Sequence, residues 1–223
     1  MKKRKSKLIL VASDHHYPFQ NESAIIQLEE YAEKFRPDYY IINGDLFDLM
    51  CFSSHRKKII NPKSEIYIAK HLICIHLMIM RKFCRKIVFL LGNHEARFYK
   101  KILDNCPEYS DFIDDSVFKF KGVQTIKGSH PEFIVNDIMF FHGCSSKIGY
   151  HRERFNMNTV IGHSHKPYID YKGYRNKNLF EANCGTMCDF NSEAFSYTQM
   201  SNKGWVNSFL VIDNDIVHLE VIK

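Results

Sequence analysis

Residues 41–48 read Ile-Ile-Asn-Gly-Asp-Leu-Phe-Asp, and the other motifs of the chain are best interpreted together with this stretch. The β-forming run at residues 39–42 predicts a buried strand, which Gly44 ends before an aspartate enters the following loop. In open α/β sheets, ligands bind at the loops that follow the carboxyl ends of strands. Alone, Gly-Asp-x-x-Asp is equally typical of a turn or a helix cap. It gains weight because four other apolar runs end in the same way.

The first of these runs is residues 7–12, which is followed by Asp14 and His16. If the backbone is extended there, the side chains of Asp14 and His16 point to the same side and His15 points elsewhere. The structural alternatives are loop capping for Asp14 and a surface position for His16. The other three runs predict strands at residues 86–91, 138–141 and 159–161. They end at Gly92-Asn93-His94-Glu95, His142-Gly143 and Gly162-His163-Ser164-His165.

Together the strand ends supply carboxylate, imidazole and amide groups, which suit manganese, and also iron, zinc, nickel or magnesium. Seven side chains are more than one ion needs, and a bridging carboxylate would hold two divalent ions about 3.5–4 Å apart. The seven candidate ligands are Asp14, His16, Asp45, Asn93, His142, His163 and His165. Each one has an ordinary structural explanation, but packing does not explain why all of them follow apolar runs.

The order of elements predicts an α/β fold with two sheets and helices outside them. Helices are expected from Asn21 or Ser23 to Arg36 and at residues 64–85, 96–103 and 148–155, the second of them mostly buried. Residues 51–63 are expected to form a basic loop over the site, and residues 104–121 an irregular segment. Further short strands are expected at residues 123–126, 132–135, 168–171, 179–183, 194–199, 206–212 and 216–222.

The composition is that of a globular protein with one domain over residues 1–223. The net charge is +6, and residues 1–7 form a basic leader that we expect to be frayed. The apolar run at residues 8–12 is shorter than a signal-peptide core, and residues 66–80 contain Lys70, His71 and His76, so we expect no membrane segment. We expect His71 and His76 to be packed or surface residues.

Seven scattered cysteines favour reduced thiols in a cytoplasmic protein. Cys184 and Cys188 form the one close pair. They lack the second pair that a zinc site needs, so we do not expect them to be ligands.

The series Asp14-x-His16, Gly44-Asp45-x-x-Asp48, Gly92-Asn93-His94-Glu95, His142-Gly143 and Gly162-His163-x-His165 resembles the calcineurin-like metallophosphoesterases. All five blocks are present in order over residues 14–165. The resemblance implies a four-layer α-β-β-α sandwich of two mixed sheets flanked by helices. It also implies that Asp14, His16 and His165 hold one metal ion, that Asn93, His142 and His163 hold the other, and that Asp45 bridges them.

Two cations would lower the pKa of a bridging water, so that a hydroxide could attack phosphorus in line with the leaving group. His94, next to Asn93, is the expected general acid. Asp48 is expected to orient His94, although a helix cap is the alternative. Arg97 could bind a substrate phosphate or lie on a solvated helix face. We expect Glu95 to be structural.

The sequence also departs from several branches of that family. Leu49-Met50 follows Asp48 where protein Ser/Thr phosphatases typically have Arg-Gly, and lipid A pathway pyrophosphatases carry Arg at the position of His94. Glu95-Ala96-Arg97 looks like the small single-domain phosphoesterases of phage and bacterial genomes.

The expected activity is therefore hydrolysis of phosphate esters. A nuclease or nucleotide phosphodiesterase is slightly favoured over a small-molecule phosphomonoesterase. A nuclease would use a basic track for nucleic acid, which residues 55–58, 151–154 and 171–175 could supply or which could be solvated loops. A non-catalytic, protein-binding scaffold on the same fold is the alternative from a different class, and it would be expected to have lost ligands.

Overall fold

The computed structural model describes residues 7–53, 61–105, 115–175, 177–192, 194–195, 203–214 and 216–222. Its α-helices are α1 (Glu22–Phe35), α2 (Pro62–Phe83), α3 (Asn93–Asn105) and α4 (Tyr150–Phe155). Short 3₁₀ turns occur at Met50–Phe52 and Asp115–Phe118. Asn21 caps α1 by accepting the amide of Ala24, and Asn61 caps α2 in the same way, so both helices begin at side-chain caps.

The first sheet has the strand order β11-β10-β1-β2-β3-β4. Neighbouring strands are parallel from β1 to β4, whereas β10 and β11 join as an antiparallel hairpin. The strands are β1 (Ile9–Ala12), β2 (Tyr39–Asn43), β3 (Lys86–Leu90), β4 (Val123–Ile126), β10 (Ser208–Asp213) and β11 (Ile216–Val221).

The second sheet has the strand order β5-β6-β7-β9-β8 and is also mixed. Strands β6, β7 and β9 run parallel, and β5 and β8 pair antiparallel at the two edges. The strands are β5 (Glu132–Val135), β6 (Ile138–Phe141), β7 (Asn158–Ile161), β8 (Tyr168–Tyr174) and β9 (Lys177–Asn183).

Alternating side chains along the central strands assemble the layers. Leu10 and Ala12 of β1 face α1 and α2, whereas Ile9 and Val11 face the second sheet. Helix α4 packs on the other side of the second sheet, against β7 and β9. This arrangement confirms the expected α-β-β-α sandwich of two mixed sheets.

Several predicted elements differ from the structure. Helix α3 begins at Asn93 rather than at residue 96, and α4 begins at Tyr150, after Gly149 takes a positive φ of 81°. The expectation that residues 64–85 are mostly buried was wrong, because Tyr67 is 73% exposed and Met78 57% exposed. Residues 51–63 are not one loop, since they contain the end of a 3₁₀ turn and the start of α2.

The strand predicted at residues 194–199 is not found where the structure describes it. Residues 194–195 form part of a helical turn, and residues 196–199 lie outside the described part of the chain. Within the described residues, no helix has both the length and the apolar character needed to cross a bilayer.

Candidate metal centre

Five loops meet at one edge of the two sheets, because β1, β2 and β3 are parallel and so are β6 and β7. The loop after each of these strands carries one block of the sequence pattern. As a result, all seven candidate ligands lie at the same edge. Potential ligand atoms lie within 4.8 Å of one another in three overlapping sets, which are Asp14, His16 and His165; His16, Asp48 and His94; and Asp14, Asp45 and His142. We refer to the expected ligands of the two ions as a first and a second group.

The first group consists of Asp14, His16 and His165. The Nε2 atom of His165 lies 3.0 Å from Oδ1 of Asp14 and 3.3 Å from Nε2 of His16. All three side chains are buried. Two imidazole nitrogens and a carboxylate oxygen thus point at one volume, which is the donor set that a transition-metal ion takes.

The second group is centred on Asn93. Its Oδ1 atom lies 3.0 Å from Nε2 of His142 and 2.8 Å from Nδ1 of His163. Asp45 lies beside this group, with Oδ2 3.2 Å from Nε2 of His142. The same Nε2 atom is 4.0 Å from Oδ1 of Asp14. His142 and Asp45 therefore stand between the two groups.

Hydrogen bonds behind the site fix the orientation of two of these imidazoles. Nδ1 of His16 donates to Oδ1 of Asp48 at 3.0 Å, and Nδ1 of His142 donates to the carbonyl of Asn43 at 2.8 Å. When a metal ion displaces the proton from Nε2, each ring keeps its proton on Nδ1 and presents the lone pair of Nε2 to the site. This arrangement of an outer acceptor behind a histidine is typical of metal-binding imidazoles.

The electrostatics also suit cations. Burial alone lowers the pKa of His16, but the nearby carboxylate of Asp14 and the hydrogen bond to Asp48 outweigh burial and raise the pKa to about 10. For His142, Asp45 and Asp14 outweigh burial and raise the pKa to about 10. Burial would raise the pKa of Asp14, but His165 and His142 hold it well below its usual range. Buried carboxylates that stay ionised and stabilise positive charge on neighbouring imidazoles also fit two divalent ions.

The backbone differs from the extended form expected around Asp14. Asp14 and His16 have φ values of 56° and 54°, in the left-handed region. Their amides donate to the carbonyls of Gly44 and Asp45, so the β1 loop is held against the β2 loop. The expectation of an extended backbone was wrong, although both side chains still reach one group. His15 does point elsewhere, with Nε2 3.0 Å from the hydroxyl of Tyr40.

Gly92 and Gly162 of the sequence pattern have no room for a side chain, because the carboxylate of a candidate ligand lies against each of them. A Cβ atom on Gly92 would lie 2.1 Å from Oδ1 of Asp45, and one on Gly162 would lie 2.6 Å from Oδ2 of Asp14. Such contacts are far inside van der Waals range, so any side chain at either position would displace a candidate ligand of another block.

His94 lies beside the second group. Its Nδ1 atom donates to the carbonyl of Asp48 at 2.6 Å, and its Nε2 atom is 3.7 Å from Oδ2 of Asp45. The Asp48 carboxylate lies farther from the ring, at 3.6 Å, and is hydrogen-bonded to His16. The expectation that this carboxylate orients His94 is therefore corrected, because the backbone carbonyl does so.

The protonation of His94 also bears on its expected role. Burial lowers the pKa of His94 to about 4 despite the nearby charge of Asp45. A neutral ring with its proton on Nδ1 offers an acceptor at Nε2 in the free protein. Arg97 is near it, with Nη1 3.3 Å from Nδ1 of His94, and its role in binding a substrate phosphate stays a prediction.

Two further residues hold the loops in place. Glu95 was expected to be structural, and Ser13 was not predicted from the sequence. The buried carboxylate of Glu95 accepts the backbone amides of Asp45, Phe47 and Gly92, which confirms the structural role expected for Glu95. Ser13 was missed, and its hydroxyl donates to Oδ2 of Asp14 at 2.5 Å. Its position directly before Asp14 was the available signal.

Aromatic residues from a distant part of the chain were also missed. The Trp205 ring lies 4.1 Å from the His165 ring between centroids, and Phe195 lies 5.2 Å from His16. No spacing in the sequence links residues 195 and 205 to the histidine motifs, so no sequence signal could have found them.

The three basic segments that could contact nucleic acid do not form a track beside the metal centre in the described part of the chain. His151 and Arg152 are buried, and Arg152 binds Oδ2 of Asp170 at 2.6 Å, so residues 151–154 do not form the expected basic track. Residues 171–175 continue along β8 away from the metal-bearing edge, since Tyr168 of this strand pairs with Asn183 and Tyr174 with Lys177. Residues 55–58 lie outside the described part of the chain.

Other histidines and cysteines agree with expectation. His76 is buried and bonds Oε1 of Glu29 at 2.7 Å, and His71 is exposed. Cys184 and Cys188 are buried, and no cysteine belongs to the clusters of potential metal ligands within the described residues.

Comparison with known families agrees with this geometry. The family model of the calcineurin-like phosphoesterases matches residues 7–193 of the sequence. The chain belongs to the calcineurin-like phosphoesterase family. The family is hydrolytic and acts on phosphate esters with bound metal ions, although its Vps29 members are noncatalytic. No curated protein matches the sequence.

Solved structures with the calcineurin-like phosphoesterase fold resemble the chain over nearly its full length. Vacuolar protein sorting 29 from Cryptosporidium parvum shares 12% identity at a TM-score of 0.50, with 97% of each chain covered. YfcE, a phosphoesterase from E. coli, shares 13% identity at a TM-score of 0.47, covering 97% of this chain and 100% of that one. Nuclease MPE from Pseudomonas putida shares 11% identity at a TM-score of 0.39, with 95% and 87% covered. At these identities the similarity concerns the fold alone.

Proposed function

We propose that this calcineurin-like phosphoesterase binds two divalent metal ions, manganese first among them, and hydrolyses phosphodiesters. The proposal is carried by one observation. Potential ligand atoms of Asp14, His16 and His165 lie within 4.8 Å of one another, and so do those of Asp14, Asp45 and His142. Oδ1 of Asn93 lies 3.0 Å from Nε2 of His142 and 2.8 Å from Nδ1 of His163, and Nδ1 of His16 and of His142 is hydrogen-bonded behind the site. In this proposal Asp14, His16 and His165 bind one ion, Asn93, His142 and His163 bind the other, and Asp45 bridges them.

When bound, the two ions would supply a nucleophilic water near neutral pH and charge for the phosphoryl oxygens. Asp48 and the Asn43 carbonyl keep the rings of His16 and His142 turned toward the site. Nε2 of His94 faces the same volume beside Asp45. A phosphate ester there would bring negative charge next to the ring and raise its pKa, so we propose that His94 becomes the proton donor once substrate is bound. Arg97 would contact the phosphate from the same side.

Space on two sides of the site favours a diester over a monoester. One cleft of about 850 Å³ reaches Asn93 and His142. A second depression of about 490 Å³ reaches His163 and contains Lys166 and Trp205. A diester carries a group on each side of phosphorus, whereas a monoester needs one such space. Phosphomonoesters are the second candidate substrates.

The non-catalytic scaffold is the candidate from another class. A scaffold would be expected to have some ligands replaced or turned away from the site. The proposal of an enzyme is supported instead by the presence of all seven candidate ligands. Cytoplasmic location is a further part of the proposal. It is supported by the seven scattered cysteines, since thiols in a reducing compartment stay unpaired.

The metal proposal is tested with Asp45→Ala and with Glu132→Ala, which removes an exposed carboxylate outside the site. Purified protein is saturated with Mn²⁺, and bound metal is measured by elemental analysis. We expect about two ions in the wild type and in Glu132→Ala, and fewer, with almost no activity, in Asp45→Ala. A wild type that holds at most one ion would contradict the dinuclear site.

The substrate class is tested by comparing bis-p-nitrophenyl phosphate, p-nitrophenyl phosphate, cyclic nucleotides and single- and double-stranded DNA. We expect faster hydrolysis of the diesters. If DNA is bound, affinity should fall steeply with salt because neutralised phosphates release counterions. Rapid monoester hydrolysis without nucleic-acid affinity at low salt would favour the phosphomonoesterase instead.

A further inference from the structure

A cleft of about 850 Å³ opens beside the second group of candidate ligands. One wall is the first three turns of α3, including Ala96 and Tyr99. The opposite wall is residues 127–131, which connect β4 to β5. Asn93 and His142 lie at its inner end, so a group in the cleft would adjoin anything held at the metal centre.

The lining of the cleft combines apolar, aromatic and basic side chains. Leu91, Leu103 and Phe141 supply apolar surface, and Tyr99 and His130 line the same space. Aromatic rings stack on nucleobases, and this contact tolerates any base because every base has a π-face.

Positive charge is present on both walls. Lys100 on α3 is exposed, and Lys127 on the other wall is half-buried. Among the described residues that line the cleft, Asp104 is the one acidic residue. These cations would attract phosphates attached to a group in the cleft, and the aromatic lining favours a ring as that group.

We propose that this cleft binds the nucleobase of a nucleotide-containing phosphodiester and places its phosphorus at the metal centre. This inference rests on the proposed function and adds the substrate class. The ring lies between α3 and residues 127–131, with Lys100 and Lys127 near phosphates that flank the scissile one. The ester group on the other side of phosphorus lies toward Lys166 and Trp205.

The variant that tests the cleft is Ala96→Phe. Ala96 is exposed and its side chain faces the cleft, so a phenyl ring there fills the space from a helix position that packs no core. Glu33→Phe is the matched control, because it adds the same ring to the exposed face of α1. Metal content is measured for both variants and should match the wild type.

The first readout is binding and needs no turnover. Calorimetry compares phenylphosphonate with methylphosphonate on Mn²⁺-loaded protein, since their P–C bonds resist hydrolysis and their charges are equal. The wild type and Glu33→Phe should bind the phenyl compound about tenfold more tightly, in line with ring stacking. Ala96→Phe should bind both alike.

The second readout distinguishes a nucleobase from any aromatic ring. We expect kcat/KM for thymidine 5′-p-nitrophenyl phosphate to exceed that for methyl p-nitrophenyl phosphate by about tenfold or more, and Ala96→Phe to remove this preference. Equal affinities for the two phosphonates, or a preference unchanged in Ala96→Phe, would overturn the cleft assignment and leave the metal centre intact. A phenyl preference without a nucleoside preference would overturn the nucleobase. Failure of both phosphonates to bind, together with absent metal, would overturn the proposed function as well.

Discussion

The carboxylate of Asp48 accepts a hydrogen bond from Nδ1 of His16 at 3.0 Å, while the backbone carbonyl of Asp48 accepts one from His94 at 2.6 Å. One residue thus orients an expected metal-binding ring through its side chain and an expected catalytic ring through its backbone. Substitution of the side chain separates the two effects, because the carbonyl remains.

Asp48→Asn should therefore weaken metal binding more than it disturbs His94. Loss of the negative charge behind His16 makes Nε2 a poorer ligand, and we expect a fall in Mn²⁺ affinity of about 10–100-fold. Calorimetric metal titration measures it. Glu33→Gln, which neutralises an exposed carboxylate on α1, should leave affinity unchanged. An unchanged affinity in Asp48→Asn would show that the carboxylate serves only as packing.

Gly92→Ala should disturb the metal centre by displacing Asp45, which belongs to a different sequence block. The added Cβ would lie 2.1 Å from Oδ1 of Asp45, so Asp45 must move and bound metal and activity should both fall. Gly173→Ala is the matched control, since its Cβ would meet nothing closer than 3.4 Å. Elemental analysis and rates on bis-p-nitrophenyl phosphate measure the effect. Wild-type metal content in Gly92→Ala would contradict the steric explanation.

His94→Asn should leave metal content near that of the wild type and lower kcat on an alkyl ester by about 10²–10⁴. The loss should be smaller for a p-nitrophenyl ester, whose leaving group needs little protonation. Because the pKa of His94 in the free protein is about 4, the acid role requires substrate to raise it. An equal loss on both esters would assign His94 to positioning, and loss of a metal ion would make it a ligand.

Glu181→Gln should destabilise the second sheet and its helix. The buried carboxylate accepts the amides of Gly149 and Arg152 at the start of α4, and the hydroxyl of Tyr168 at 2.6 Å. Because these hydrogen bonds and the nearby ring of His151, whose Nδ1 is 3.6 Å from Oε2, outweigh burial, the pKa of Glu181 falls to about 2. We expect a loss of about 1–3 kcal/mol in the free energy of unfolding at pH 7.

The pH dependence of that loss follows from the sign of the shift. A carboxyl with a folded pKa below its unfolded value of about 4.3 contributes its full stability above that value and loses it as pH falls toward 2. Denaturant unfolding of the wild type and Glu181→Gln should therefore converge between pH 5 and 2. Glu132→Gln, at an exposed position on β5, is the control. A gap that stays constant down to pH 2 would contradict the ionic contribution.

The sequence was informative where periodicity and strand ends coincide. The sandwich and the convergence of the seven side chains could be predicted because parallel strands bring their carboxyl ends to one edge. The organisation of residues 1–223 as one domain stays a prediction. The left-handed backbone of Asp14 and His16 could not be predicted, because it depends on hydrogen bonds to the β2 loop.

Tertiary contacts decided the remaining differences. The basic residues at 151–154 looked like a surface track, but Asp170 of β8 binds Arg152 and Glu181 of β9 lies behind His151. Trp205 reaches His165 only because the chain returns to the site before β10. A pattern of adjacent residues carries no information on such partners.

The close contacts of Gly92 with Asp45 and of Gly162 with Asp14 have an evolutionary consequence. Each contact joins two blocks that are far apart in the chain, so the tolerated residues at one position depend on the residue at the other. Substitutions at such a pair should be strongly epistatic, with a double substitution costing less than the sum of the single ones. Homologues would then be expected to change the two positions of a pair together or to leave both unchanged.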